Sequence, residues 1–399
     1  MSQQLLLDAA LRSARQLIGE ARPRQDGSLS WGRGFGMGLR PACDAGLYNG
    51  RAGEAFVLAA VYAATGEPDC RVAAESALTG VRDATRSSTA AEALLAEIGP
   101  GLSGGGSLLF GLPLIARWLG EPEYVARAST LAGALTPELL ARDAMHEVLW
   151  GAAGAVLGLY PLAETGDARA LAAVEHCVAA LLASRESGAS PRTWRTHRGL
   201  LEGGFAHGAS GIGFALLLGN TAVPNIASYD AGLEAFAFER TLFQPQVGDW
   251  ADHAEDSLAA PRGAWCHGAT GVGFAMLGAL PHVRPSDADA LLDDLQRVVS
   301  LLSVATFAAW DNLCCGSLGR MDLMVEVDRR LADPDLAARA NARAIRLAEH
   351  LMKHPYRGPQ VTDDPHLGPG LWQGHAGVIY TLTRFSAPDD FPSVLTLGN

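Results

Sequence analysis

The chain has 399 residues, 48% hydrophobic and 19% charged, with a formal net charge of −12. That length supports a core large enough to need no disulfide staple, and the acidic balance argues against a nucleic-acid partner, which needs a basic face for phosphate. No stretch approaches the roughly 18–20 apolar residues of a membrane span.

The first predicted element is an amphipathic helix over Met1-Ser-Gln-Gln-Leu-Leu-Leu-Asp-Ala-Ala-Leu-Arg-Ser-Ala-Arg15. It lacks the basic start and apolar block of a secretion signal, so the expected location is cytoplasmic. In that compartment the six cysteines read as free thiols or metal ligands rather than disulfides.

From residue 47 onward one pattern recurs seven times: a hydrophobic pair, then Gly-x-x-Gly leading into an apolar run. The copies are Leu47-Tyr-Asn-Gly-Arg-Ala-Gly53, Leu102-Ser-Gly-Gly-Gly-Ser107, Leu149-Trp-Gly-Ala-Ala-Gly154 and Phe205-Ala-His-Gly-Ala-Ser-Gly211. They continue with Trp265-Cys-His-Gly-Ala-Thr-Gly271, Leu313-Cys-Cys-Gly-Ser-Leu-Gly319 and Leu371-Trp-Gln-Gly-His-Ala-Gly377. The first glycines are Gly50, Gly104, Gly151, Gly208, Gly268, Gly316 and Gly374, spaced by 47 to 60 residues. The second copy departs from the pattern, with Ser107 in place of the second glycine.

Each copy opens a largely apolar run such as Glu54-Ala-Phe-Val-Leu-Ala-Ala-Val-Tyr-Ala-Ala, and a helix apolar nearly all round belongs inside a structure. Amphipathic helices lie between these runs, with starts at Glu121-Pro122, Pro285-Ser286 and Asp333-Pro334, where a capping residue or a first-turn proline favours helix entry. No run of strand-like alternation is present. The expected fold is therefore all-α: an α/α toroid of seven helix-pair repeats, with residues 1–399 as one unit. All inner helices then start at one end, where glycine lets neighbouring backbones approach, and their preceding loops converge on one mouth.

Three repeats carry reactive side chains just before the first glycine: Ala206-His207, Cys266-His267 and Cys314-Cys315. Because these positions are equivalent in adjacent repeats, the ring makes neighbours of residues distant in sequence. Three converging thiolates suit zinc (Zn2+), which favours tetrahedral sulfur and imidazole ligation. Three protein ligands leave a fourth position open, as in catalytic zinc sites. Cys43, Cys70 and Cys177 fall outside the repeated position and read as small buried hydrophobes or incidental thiols.

The motifs Gly204-Phe-Ala-His-Gly, Ala264-Trp-Cys-His-Gly and Leu313-Cys-Cys-Gly resemble the signatures of the lanthionine synthetase C-like family, toroidal enzymes that close thioether rings in lanthipeptides. The segment Phe238-Glu-Arg-Thr-Leu-Phe-Gln-Pro-Gln-Val-Gly-Asp-Trp-Ala-Asp252 resembles the cyclase domain of class II synthetases. That class often carries a large dehydratase domain, which this chain lacks, so the resemblance implies a dehydrated precursor peptide as partner and dehydration by another polypeptide or a missing N-terminal part. Family ligands carry over as Cys266, Cys314 and Cys315; the third is more usually histidine. The family's acid/base histidine matches His207, its arginine matches Arg262, and the residue after the first zinc cysteine matches His267. Glu147 stands where an aspartate is usual.

The implied reaction adds a substrate cysteine thiol to dehydroalanine or dehydrobutyrine. A free thiol titrates near pH 8.5, and metal binding would deprotonate it. His207 is the expected proton-transfer group because an unperturbed histidine titrates near working pH. Arg262 is expected either to stabilise enolate charge or orient Glu147, or to form a structural ion pair. His267 either orients the metal site or acts directly. His146 and His375 flank repeat glycines, as mouth residues or in ordinary polar contacts. Trp150, Trp265 and Trp372 supply either an apolar rim for peptide or core packing. Two other functions fit the same motifs: addition of glutathione or another external thiol to dehydro residues, and a non-catalytic peptide-binding toroid. Toroidal terpene cyclases and glycosidases depend on acidic motifs not found in this sequence.

Overall fold

The computed structural model describes residues 2–31, 45–188, 190–255, 263–308, 310–357 and 368–397. In chain order α1 (Ser2–Gly19) precedes α2 (Arg51–Thr65), α3 (Pro68–Ala77), α4 (Thr79–Ala84), α5 (Ser88–Ile98), α6 (Gly105–Leu119), α7 (Glu123–Ala132) and α8 (Pro137–Leu140). There follow α9 (Ala152–Glu164), α10 (Ala168–Ala183), α11 (Ala209–Ala222), α12 (Ile226–Thr241), α13 (Ala269–Ala279), α14 (Pro285–Val304), α15 (Ser317–Leu331), α16 (Pro334–Lys353) and α17 (His375–Ser386). Strand structure among the described residues is confined to two antiparallel two-residue ladders, β1 (Arg22–Pro23) with β2 (Leu29–Ser30) and β3 (Phe243–Gln244) with β4 (Asp249–Trp250).

The seven helices that follow the repeat glycines form the inner ring: α2, α6, α9, α11, α13, α15 and α17 each pack on the next, and α17 returns to α2. Their apolar sequences explain the placement. In α11, for example, every residue from Ala209 to Gly219 is buried, which only an interior position satisfies. The chain is thus an all-α toroid. The amphipathic helices α3, α7, α10, α12, α14 and α16 back the first six inner helices, each packed on the one it follows. The seventh, α17, is backed by α1 from the other end of the chain. Side-chain caps start several outer helices: Asp167 accepts the Arg169 and Ala170 amides in α10, Asn225 those of Ala227 and Ser228 in α12, and Asp333 that of Leu336 in α16.

Backbone hydrogen bonds run from loop to loop round the mouth. Trp372 N donates to Tyr48 O (3.1 Å), Leu313 N to Trp372 O (3.0 Å) and Trp265 N to Cys314 O (2.7 Å). Ala206 N then donates to Cys266 O (3.3 Å), Leu149 N to Ala206 O (3.0 Å), and Leu102 N to Val148 O (2.9 Å). Each bond satisfies a buried loop group that would otherwise be orphaned. The seventh step uses a side chain: Leu47 N donates to Ser107 Oγ at 2.9 Å.

The repeat glycines differ from expectation in what they accommodate. A Cβ on Gly154, Gly211 or Gly271 would lie 1.9–2.0 Å from the carbonyl oxygen six residues earlier in its own loop. The second glycine therefore lets each loop fold back on its helix. Close approach of neighbouring helices occurs between α6 and α9, where a Cβ on Gly158 would meet Gly106 O at 2.0 Å.

Inside the ring, Tyr48, Trp372, Trp265 and Phe205 form a continuous aromatic row beneath the mouth, with centroid separations of 5.3, 6.0 and 5.3 Å. Residues 391–397 touch several inner elements: Phe391 packs on Trp118 of α6, Ser393 Oγ bonds Asp322 of α15, and Leu395 O accepts the Trp265 indole N–H.

Candidate active site

Each cysteine loop is held by a specific clamp. Asp249, at the end of the β3–β4 turn, accepts the Trp250 and Ala269 amides on Oδ1 (2.9 and 2.7 Å) and the Gly263 amide on Oδ2 (2.9 Å). It thereby ties both ends of the Cys266 loop together, and such charge-assisted bonds are the strong ones. Gly268 in that loop has φ +104°, a conformation that requires glycine. In the next loop Asn312 Oδ1 accepts the Cys315 amide at 2.9 Å, and its Nδ2 lies 3.8 Å from Cys315 Sγ.

These clamps bring the three predicted cysteines together. Cys314 is buried, whereas Cys266 and Cys315 are partly accessible. Hydrogen bonds linking the Cys314 thiol with Cys266 and Cys315, together with burial, push it well above the usual thiol range. Tyr48 completes the cluster: its buried hydroxyl donates to Cys314 Sγ at 3.2 Å. Tyr48 occupies, in the first repeat, the position of Cys266 and Cys314 in theirs, two residues before the first glycine.

Three histidines, one of them the His267 that follows Cys266, lie ring against ring. His207 lies 5.1 Å, centroid to centroid, from His267 and 4.3 Å from His197. His267 Nδ1 is 3.2 Å from Gly203 O, and His197 Nδ1 is 2.9 Å from Glu202 Oε2. Burial opposes ionisation of Glu202, but hydrogen bonds from His197, Thr196 and Arg198 outweigh it and hold the carboxyl at about 2. The His207 loop has its own clamp, buried Glu239, which accepts the Gly204 amide on both oxygens (3.0 Å each) and the Ser210 amide (3.1 Å).

Burial lowers His207 to about 3 and His267 to about 4, because an apolar surrounding disfavours the charged ring. This corrects the expectation that His207 titrates near working pH. The ring is neutral there, hence a proton acceptor before it can be a donor. Glu147 is fully buried and accepts the Leu149 amide at 2.5 Å and the Trp150 amide at 3.2 Å. Its Oε1 lies 3.7 Å from His207 Nδ1, and burial drives its carboxyl well above the ordinary value. Glu147 thus shapes its own loop as well as facing His207.

Arg262 and Cys43 lie outside the described residues. Cys70 and Cys177 are buried away from the mouth cluster, and burial pushes Cys70 up to about 12. Trp265 and Trp372 belong to the core and form no peptide rim; Trp150 is partly exposed. His375 is buried, stacked on Tyr356 with centroids 4.3 Å apart. His146 adopts φ +62° and gives its amide to Asp143 at 3.1 Å. Sequence reasoning missed Tyr48, Asp249, Glu239 and Trp310, whose 45% exposed indole reaches back to Cys315 O at 3.4 Å. Only Tyr48 had a signal, its register with the cysteines.

Among the described residues no set of three or more His, Cys, Asp or Glu side chains is spaced as a finished metal cage. The donor chemistry nonetheless fits a soft divalent ion. Three sulfurs share hydrogen bonds, and two remain partly accessible. None of the described helices is long and apolar enough to cross a membrane.

A family model described as lanthionine synthetase C-like protein matches residues 41–396. Among solved structures the fold is similar to that of a nisin cyclase, with a TM-score of 0.67 at 16% identity, covering 90% of this chain and 93% of that one. A sugar epimerase from a ruminal bacterium matches at a TM-score of 0.46 and 10% identity, over 94% and 97% of the two chains. An unsaturated glucuronyl hydrolase specific for heparin matches at 0.43 and 13%, over 80% and 86%. No curated protein matches the chain.

Proposed function

Since the chain belongs to the lanthionine synthetase C-like family, we propose that it is a zinc-dependent cyclase. On this reading it adds cysteine thiols of a dehydrated precursor peptide to dehydroalanine or dehydrobutyrine, forming lanthionine or methyllanthionine rings. The observation that carries this reading is the pair of hydrogen bonds by which the Cys314 thiol joins Cys266 and Cys315, with His207 stacked on the His267 that follows Cys266. Zinc held by the three cysteines would acidify a substrate thiol bound at its open position.

The rest of the chemistry falls to the chain's own residues. Neutral His207 accepts the proton released by the substrate thiol. The sulfur then bonds to the β-carbon of the dehydro residue, and the C=C pair moves toward the α-carbon and its carbonyl. His207 returns the proton to the α-carbon, so no atom is gained or lost overall. Glu147, whose carboxyl burial holds well above its ordinary range, faces His207 Nδ1 at 3.7 Å and acts on the ring as a neutral dipole rather than as a counter-charge. His267 stacks on the His207 ring, and Arg262 remains the proposed partner of the enolate oxygen. Trp310, exposed beside Cys315, offers an apolar platform to the peptide.

The location we propose is cytoplasmic, with an already dehydrated precursor peptide as the substrate. Incubating the protein with a dehydrated precursor should remove free thiols at unchanged mass, and Cys314→Ala should abolish this. A mass increase requiring added glutathione would establish the external-thiol reaction instead. Peptide binding without thiol loss would leave a non-catalytic toroid.

A further inference from the structure

Tyr48 comes from the repeat farthest in sequence from the Cys314 loop, yet the ring places its hydroxyl 3.2 Å from Cys314 Sγ. Two features fix that position. The Tyr48 ring stacks on Trp372, 5.3 Å away with 20° between planes, and the Tyr48 carbonyl accepts the Trp372 amide at 3.1 Å. Trp372 O in turn accepts the amides of Leu313 and Cys314 at 3.0 and 3.1 Å. One aromatic pair therefore locks both the phenol and the backbone that carries the sulfur.

A buried phenol needs a hydrogen-bond partner, and here that partner is sulfur. If the three cysteines bind zinc as thiolates, the centre carries one net negative charge, which a buried site must offset. A tyrosine hydroxyl carries a proton to donate, and at 3.2 Å the proton lies within reach of Cys314 Sγ. Donation to Cys314 draws electron density from one of the three sulfurs. Cys315 instead faces Asn312 Nδ2 at 3.8 Å, a longer contact than the 3.2 Å phenol contact at Cys314, and both Cys266 and Cys315 are partly accessible.

We propose that Tyr48 is a positioning residue of the metal centre, its O–H donating to the Cys314 thiolate so that the three sulfurs are electronically unequal. This rests on the zinc reading above and adds a residue to it. Outer hydrogen bonds of this kind tune both ligand orientation and donor strength.

Cobalt(II) substitution tests this without substrate, because the thiolate-to-cobalt charge-transfer band reports sulfur donor energy. Tyr48→Phe keeps the ring on Trp372 and removes only the donor, so the band should move to longer wavelength. Trp372→Phe, which loosens the stack but keeps the hydroxyl, should move it in the same direction by clearly less. Replacing Tyr48 by 3-fluorotyrosine, a stronger donor of almost the same shape, should move the band to shorter wavelength and serves if the phenylalanine variant does not fold. An unchanged band in both Tyr48 variants, or an equal shift with Trp372→Phe, overturns the proposal. A wild-type protein with no sulfur-to-cobalt band overturns the zinc reading itself.

Discussion

Ser107 Oγ accepts the Leu47 amide hydrogen at 2.9 Å and donates to Gly104 O at 2.7 Å. The residue that breaks the glycine pattern thus supplies the link between the first and second repeats that backbone supplies elsewhere. Ser107→Gly would restore the repeat motif yet strand a buried N–H, at a cost of about 1–3 kcal/mol. Urea unfolding should show a lower midpoint; an unchanged one would mean that the ring closes without this bond.

Asp249 makes an equally specific prediction, because its two oxygens hold three amides across the Cys266 loop. Asp249→Asn keeps the shape but turns an NH2 toward at least one N–H donor. Losing one charge-assisted bond and gaining that repulsion should cost about 1.5–3 kcal/mol. Zinc, if bound as proposed, should also pass faster to a colorimetric chelator. Equal release rates would mean the loop is held by Thr270 and Arg320, which both bond Gly263 O.

The seven-fold ring and the cysteine cluster were legible because both depend on register. Equivalent positions in a repeat stay equivalent in space, so Cys266, Cys314 and Cys315 could be brought together from spacing alone. Asp249 and Glu239 could not, since each caps a loop that lies 14 to 35 residues away in sequence, and no local pattern marks such a partner. The pairing of α1 with α17 was hidden for a related reason: the helix reads as amphipathic, but its target becomes visible only when the ring closes. The state of His207 was misread because its titration is set by burial, which a motif does not encode. Residues 391–397 carry no periodicity, yet are mostly buried through contacts that other elements provide.

Where α15 meets α17, the chain uses buried charge. Arg384 is 2% exposed and bonds Asp322 Oδ1 at 2.6 Å, the Glu326 carboxylate and Phe391 O. Arg384→Ala would leave buried Asp322 without the cation that bonds it, while Glu326 keeps longer contacts to Arg329 and Arg330 at 3.7 and 3.8 Å, a loss of about 3–5 kcal/mol. Chemical unfolding measures this directly, and a loss below about 1 kcal/mol would mean that the carboxylates neutralise themselves by taking up protons.

His375 should make stability fall in mild acid. Its two ring nitrogens have no hydrogen-bond partner among the described residues, and burial lowers it from 6.5 to about 3. The unfolded chain takes up a proton below pH 6.5 while the folded chain refuses it until about pH 3, so the unfolded state binds more protons across that window. Stability is therefore fully present above pH 6.5 and is lost as the pH drops. His375→Phe keeps the stack on Tyr356 and removes this contribution. Relative to wild type, the variant should gain about 2 kcal/mol on going from pH 7 to pH 5, read from unfolding midpoints at each pH. Parallel pH dependence in both proteins would mean that His375 is protonated in the fold.

If zinc binds as proposed, Cys315 is where the site departs from the more usual histidine that the family resemblance implies. Zinc held by three thiolates carries one negative charge, whereas two thiolates and a neutral imidazole leave it neutral. On that reading the extra donation would weaken the metal's hold on a substrate sulfur and leave that sulfur more nucleophilic. Asn312 Nδ2, 3.8 Å from Cys315 Sγ, is placed to face either ligand, so Cys315→His should still bind zinc. Its cyclisation should be slower by roughly tenfold, about 1.4 kcal/mol of barrier, with the loss appearing in the rate at saturating peptide. Single-turnover thiol loss on several dehydrated peptides decides the matter. Full rates with the histidine variant on all of them would show that the third thiolate contributes charge but no reactivity.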